Sequence, residues 1–255
     1  MHEYLRAVRD LVWPASCAAC GLSGATVCPA CAVEAVAAPI LRVYAPTPCP
    51  PGFPETVVWG QYTGALSRLV VAYKDAERTD ISAIFAALLE DVVERAMAGT
   101  EVGLTPCLDP VLVPMPSSAR ARRQRGREPV LDLCRRIRPR ARVRLLSGLR
   151  VVRKVGDQSG LGSAERKANL AGSMALRPGA AEALSGADVI LVDDVVTTGA
   201  TLQEATRAVL AGFDRDPDGP PLARLAPPAS LRAVTICATF RRRRGRSLPR
   251  GAGVH

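Results

Sequence analysis

Aromatic side chains are scarce in this 255-residue chain, at 4%. Such scarcity speaks against a platform on which nucleic-acid bases stack. Lysine is almost missing: Lys74, Lys154 and Lys167 are the only three among 34 basic residues. A GC-rich genome favours arginine in the same way, so the basic charge is weak evidence for a nucleic-acid partner. No run of 18 apolar residues occurs, so no transmembrane helix is expected. The opening MHEYLRAVRDLVWP lacks the apolar core of a secretory signal. Its Leu5, Val8, Leu11 and Val12 fit one face of a short helix instead, over residues 1–12. A cytoplasmic protein is expected.

What is present suits a medium globular domain with a small appendage: 48% hydrophobic residues and 23% charged ones. The net charge of +10 favours anionic partners, either nucleic acid or phosphorylated small molecules.

Four of the eight cysteines cluster as Cys17-x2-Cys20 and Cys28-x2-Cys31. In a reducing compartment such a quartet points to metal before disulfide. Four thiolates suit a closed, structural Zn2+ site, and the alternatives are a redox pair or two local disulfides. Cys49, Cys107, Cys134 and Cys237 are scattered and read as ordinary thiols.

Along the chain, residues 1–35 hold the helix and the cysteine finger. Residues 36–56 contain six prolines, from Pro39 to Pro54, and read as a linker without a regular element. Residues 57–240 alternate short apolar runs with helical patterns. Strands are expected at 56–62, 111–116, near 149–155, at 189–195 and at 231–240. Helices are expected at 64–73, from an Asp80 N-cap to about 98, from Pro129, and from Ala200 to about Ala211. The Arg-rich stretch after Ser117, the segment 156–172 and residues 213–230 read as loops, and the basic tail 241–255 reads as disordered. Strands alternating with helices imply an α/β fold, a parallel sheet flanked by helices, with the small zinc finger ahead of it. Ligands in such sheets sit beyond the carboxyl ends of the strands.

One of those ends reads VILVDDVVTTGATL, residues 189–202. Two carboxylates follow four apolar residues, and a small hydroxyl-rich turn follows them at the start of a helix. Unpaired N–H groups at a helix start, with Gly199 allowing close approach, can hold a phosphate. Asp193 and Asp194 accept hydrogen bonds only, and so suit sugar hydroxyls. A 5-phosphorylated ribose meets both demands; a plain strand–turn–helix without ligand is the alternative. Neither the Walker pattern nor three spaced glycines is present.

That run resembles the signature with which type I phosphoribosyltransferases bind 5-phosphoribosyl diphosphate (PRPP). The resemblance implies that Asp193 and Asp194 hold the ribose hydroxyls and serve catalysis by doing so. It also implies that Thr197, Thr198, Gly199, Ala200 and Thr201 cradle the 5-phosphate, with Mg2+ entering on the diphosphate. VLVPMPSS resembles the diphosphate loop, with Met115, Pro116, Ser117 and Ser118 as its turn. The spacing Arg153, Gln158, Leu161, Arg166, Asn169 and Gly172 resembles the mobile hood of the ComF competence family. So do the cysteine quartet, Tyr62-x-Gly64 and Lys74. That family implies a PRPP-binding protein that passes phosphoribose to an acceptor. It equally implies an alternative, a single-stranded DNA-binding protein without catalysis, acting in DNA uptake beside a helicase-like partner. One departure is plain: Arg127, Glu128 and Pro129 follow Arg125-Gly126 where the family has an aromatic and polar pair. Residues 120–144 carry eleven arginines and 241–246 five, which read either as solvated faces or as contacts to a nucleic-acid backbone.

Overall fold

The structure is a computed structural model that describes residues 15–37, 39–99, 103–107, 109–139, 142–153, 170–213 and 225–240. The helix expected over 1–12 and the tail from 241 lie outside them.

Six strands form one sheet: β1 (Arg42–Tyr44), β2 (Glu55–Gln61), β3 (Val111–Pro114), β4 (Arg144–Leu145), β7 (Asp188–Val196) and β8 (Ser230–Ala238), in the order β1-β2-β8-β7-β3-β4. All neighbours are parallel except β1, which runs antiparallel to β2. A separate antiparallel hairpin joins β5 (Leu149–Val151) to β6 (Met174–Leu176). This is a mostly parallel α/β sheet with helices on both faces, preceded by a cysteine cluster compatible with a zinc finger.

The pleat of β7 explains the two-sided cover. Ile190 and Val192 point to one core, Val189 and Leu191 to the other, as a period of two demands. The first core is filled by α2 (Gly64–Asp75), α3 (Ser82–Ala98) and α5 (Pro129–Cys134), through Leu66, Leu69, Phe85, Val92 and Leu133. The second takes Leu202, Ala205 and Val209 of α7 (Ala200–Ala211), Leu184 of α6 (Ala180–Leu184), and Leu149 and Met174 of the hairpin. Residues buried on both faces make β7 and β8 near-continuous apolar runs.

Several local expectations are corrected. The segment 36–56 holds a strand, β1, which pairs Arg42, Val43 and Tyr44 with Val58, Val57 and Thr56. The Arg-rich stretch forms a short helix, α4 (Ala119–Arg125), capped by the Ser118 hydroxyl accepting from the Ala121 amide at 3.1 Å. Asp80 is not the cap of α3. It lies in a 3₁₀ turn, Thr79–Ile81, and pairs with Arg78 at 2.8 Å, a contact that holds its carboxyl below the usual range. The strand expected at 189–195 is present as β7, with both acids inside it. It continues through Asp193 and Asp194 to Val196, because β8 goes on pairing with it as far as Ala238.

Candidate functional site

The carboxyl ends of β2, β8, β7 and β3 open on the same side because the strands are parallel. Asp194 continues the alternation of Ile190 and Val192, so it faces α2. There Lys74, in the last turn of α2, places its Nζ 2.7 Å from Asp194 Oδ1. Asp194 is only 3% exposed, and its second oxygen has no hydrogen-bond partner among the described residues. Burial opposes the Lys74 charge, but Asp194 and Asp193 outweigh it and hold the ammonium above its ordinary pKa. Asp193 is half-buried, and its Oδ1 accepts the Asp194 backbone N–H at 2.9 Å. Burial, then the Asp194 charge, pushes its carboxyl well above the usual range, to about 8. The neighbouring acids are therefore unlike: Asp194 pairs with Lys74, while burial and the neighbouring carboxylate favour the protonated form of Asp193.

After Val196 the chain turns through Thr197 and Thr198 into Gly199, the N-cap of α7, at φ +76°. No side chain caps this helix start, although the Ala200 amide comes within 3.4 Å of the Thr198 hydroxyl. The turn is fixed from outside. The Tyr44 hydroxyl stands 2.9 Å from the Thr239 carbonyl and 3.2 Å from that of Thr197, donating to one of the two. The Thr239 hydroxyl reaches the Thr197 carbonyl at 3.3 Å. The proline-rich segment runs over the same turn. A β-carbon added to Gly199 would lie 2.6 Å from Phe53 Cε2 and 3.0 Å from Pro46 Cγ, and Gln203 donates to the Pro51 carbonyl. Glycine is required here twice, for its backbone angle and for the ring against it. Between this strap and α7 lies a cavity of about 340 Å3, lined by Pro51, Gly52 and Gln203 among others.

The loop after β3 is adjacent. The Met115 amide donates to the Val192 carbonyl at 2.8 Å, which sets Met115 beside the first acid. Met115 is buried, Pro116 and Ser117 half-buried, and Ser118 exposed, with its hydroxyl engaged by α4. Arg153, at the end of β5, donates to the Ala171 carbonyl at 2.9 Å across the base of the hairpin. Gln158, Arg166 and Asn169 lie outside the described residues.

Residues 130–215 match the model of the phosphoribosyl transferase domain. Over that stretch, which takes in β7, the turn and α7, the chain is similar to phosphoribosyl transferase domains. No curated protein matches the chain.

Ahead of this phosphoribosyltransferase-like region, the sulfurs of Cys17, Cys20, Cys28 and Cys31 all lie within 4.8 Å of one another. The Cys20 and Cys28 sulfurs are 3.7 Å apart, and ligand sulfurs at about 2.3 Å from a tetrahedral Zn2+ fall about 3.8 Å apart. The Cys28 amide donates to Cys17 Sγ at 3.3 Å. Burial raises the Cys17 thiol, yet the amides of Cys28, Cys20 and Ala19 outweigh it and bring it down to about 6. The donor set fits a structural metal such as zinc.

The finger also packs on the first turn of α2. Its helix α1 (Pro29–Val36) carries Glu34, whose carboxylate accepts the Ala65 amide at 2.9 Å and pairs with Arg68 at 3.1 Å. It sits over Gly64, where an added β-carbon would lie 2.3 Å from Glu34 Oε1. Glu34 thus caps α2, whose other end carries Lys74. Sequence reasoning missed Glu34, Tyr44 and Phe53. Only the glycines that Glu34 and Phe53 cover, Gly64 and Gly199, gave any signal of them, and Tyr44 gave none.

Proposed function

We propose that this protein is a ComF-like phosphoribosyltransferase that binds PRPP with Mg2+ and transfers its phosphoribose to an acceptor nucleophile. One juxtaposition carries the reading: a half-buried carboxylate with no ion pair among the described residues, Asp193, lies next to a glycine-capped helix start at the carboxyl edge of the sheet. The amides of the Thr197–Thr201 turn take the 5-phosphate, and Asp193 takes the ribose hydroxyls. Asp194 joins it when Lys74 turns from the carboxylate to the diphosphate. With PRPP bound, Mg2+ would neutralise charge on the diphosphate beside the Met115–Ser118 loop and would be held mostly by diphosphate and water oxygens.

The C1–O bond to diphosphate breaks as the nucleophile bonds to C1, and diphosphate departs with the electron pair. The protein contributes position and charge: the turn fixes one end of the sugar, and the carboxylates stabilise the cationic ring in the transition state. Calorimetric titration of PRPP tests this, with and without Mg2+. Mg-dependent binding that disappears in Asp193→Asn/Asp194→Asn supports it, and binding indifferent to both changes refutes it.

The second reading is a single-stranded DNA-binding protein of DNA uptake. The exposed side chains of Arg120, Arg122 and Arg123 on α4, next to the Met115–Ser118 loop, favour it. It predicts oligonucleotide binding that weakens steeply with salt and is unchanged in Asp193→Asn/Asp194→Asn.

A further inference from the structure

Beside Tyr73 lies an arginine cluster that this reading leaves unused. The guanidinium of Arg127 covers the Tyr73 ring, 4.3 Å from its centroid, and donates to the Tyr73 carbonyl. Its Nε is buried and has no acceptor among the described residues. Arg135 and Arg136, from the end of α5, face the same pocket, a cavity of about 290 Å3. A single carboxylate, Asp132, stands among these three guanidinium groups, 3.9 Å from Arg127 and 3.7 Å from Arg135. Both separations exceed a hydrogen bond. Thr79 and Ser82 complete the wall, at the start of α3, which no side chain caps.

We propose that this pocket is a second anion site, distinct from the turn at Thr197–Thr201, that takes the phosphate group of a small phosphorylated ligand. Three guanidinium groups against the one carboxylate of this wall give it a positive excess, which Glu90, Asp91 and Glu94 of the adjoining cavity reduce but do not enter, and a positive concavity concentrates anions. Guanidinium forks and hydroxyls together match the tetrahedral oxygens of a phosphate. The positive end of α3, a helix of 17 residues, adds to the field. A small ligand fits better than a nucleic-acid strand. The one aromatic face in its wall, that of Tyr73, is already covered by Arg127, so no base can stack there. The site follows from Arg127 itself, one of the residues that depart from the resemblance at this loop.

Inorganic phosphate is the probe, titrated at low ionic strength into the full chain while backbone amide shifts are followed by NMR. Saturable shifts are expected at Thr79, Ser82 and Arg127. In Arg135→Gln/Arg136→Gln their midpoint should weaken about tenfold, while the midpoint at Thr198–Thr201 stays put. Both arginines are exposed, so the fold should survive. Arg136→Gln alone, at a side chain with no ion pair among the described residues, repeats the test if it does not. Shifts at Thr79 and Ser82 that never saturate, or a midpoint unchanged in the variants, overturn the proposal. So does a single-stranded oligonucleotide that saturates the same amides when phosphate does not, because the surface then belongs to a nucleic-acid track.

Discussion

Lys74 Nζ and Asp194 Oδ1 lie 2.7 Å apart, although one belongs to the end of a helix and the other to the carboxyl end of a central strand. The contact leaves Asp194 almost wholly buried with one cationic partner. Removing only the lysine strands a carboxylate in the core, which is costly. Lys74 is 32% exposed, so water relieves part of that cost. Lys74→Ala should lose about 2–3 kcal/mol in urea unfolding, and adding Asp194→Asn should restore most of it.

Asp193 gives the protein a pH signature. Its pKa is raised from 3.8 in the unfolded chain to about 8 in the fold, through burial and the charge of Asp194. A raised pKa means the folded state binds this proton more tightly than the unfolded one. The resulting stability is complete below the unfolded value and is lost as pH rises towards the folded one. Stability of the ligand-free protein should therefore fall between about pH 4 and about pH 8, and Asp193→Asn should flatten that fall. Urea midpoints across the range check it.

The finger and the acidic pair are joined mechanically. Zinc would hold α1, α1 presents Glu34, Glu34 caps α2, and α2 ends at Lys74. Metal analysis should find one zinc per chain. Stripping it should raise hydrogen exchange in Pro29–Val36 and in the first turn of α2 while β7 and β8 stay protected. Glu34→Gln should loosen the start of α2 alone.

Gly199 offers a fourth probe. An alanine there must hold φ near +76° and push aside the Phe53 ring. The backbone strain alone costs about 1–2 kcal/mol. Phe53→Ala removes the clash but leaves that strain, so the double variant should recover only part of the lost stability in thermal unfolding. Phe53→Ala by itself should expose the Gly199 amide and speed its hydrogen exchange.

The features that were legible in the sequence are local. The run Val189–Val192, the helix from Ala200 and the two C-x2-C pairs each carry their signal within a few residues. The parallel sheet followed from apolar runs alternating with helices, and the structure has it. The missed features are long-range or masked by composition. β1 is three residues long and surrounded by prolines, so no alternation could reveal it. Asp80 had the right chemistry for a cap, but its neighbour Arg78 engages it first. The contacts of Phe53 with Gly199 and of Glu34 with Gly64 join distant segments, and no periodicity encodes them.

A crystal of the protein grown with PRPP and Mg2+ tests the central claim most directly. The account predicts the 5-phosphate on the amides of Thr198–Thr201, ribose hydroxyls on Asp193, and Lys74 drawn from Asp194 towards the diphosphate. Density for the ligand elsewhere, with Lys74 still against Asp194 and the turn unvisited, would contradict it.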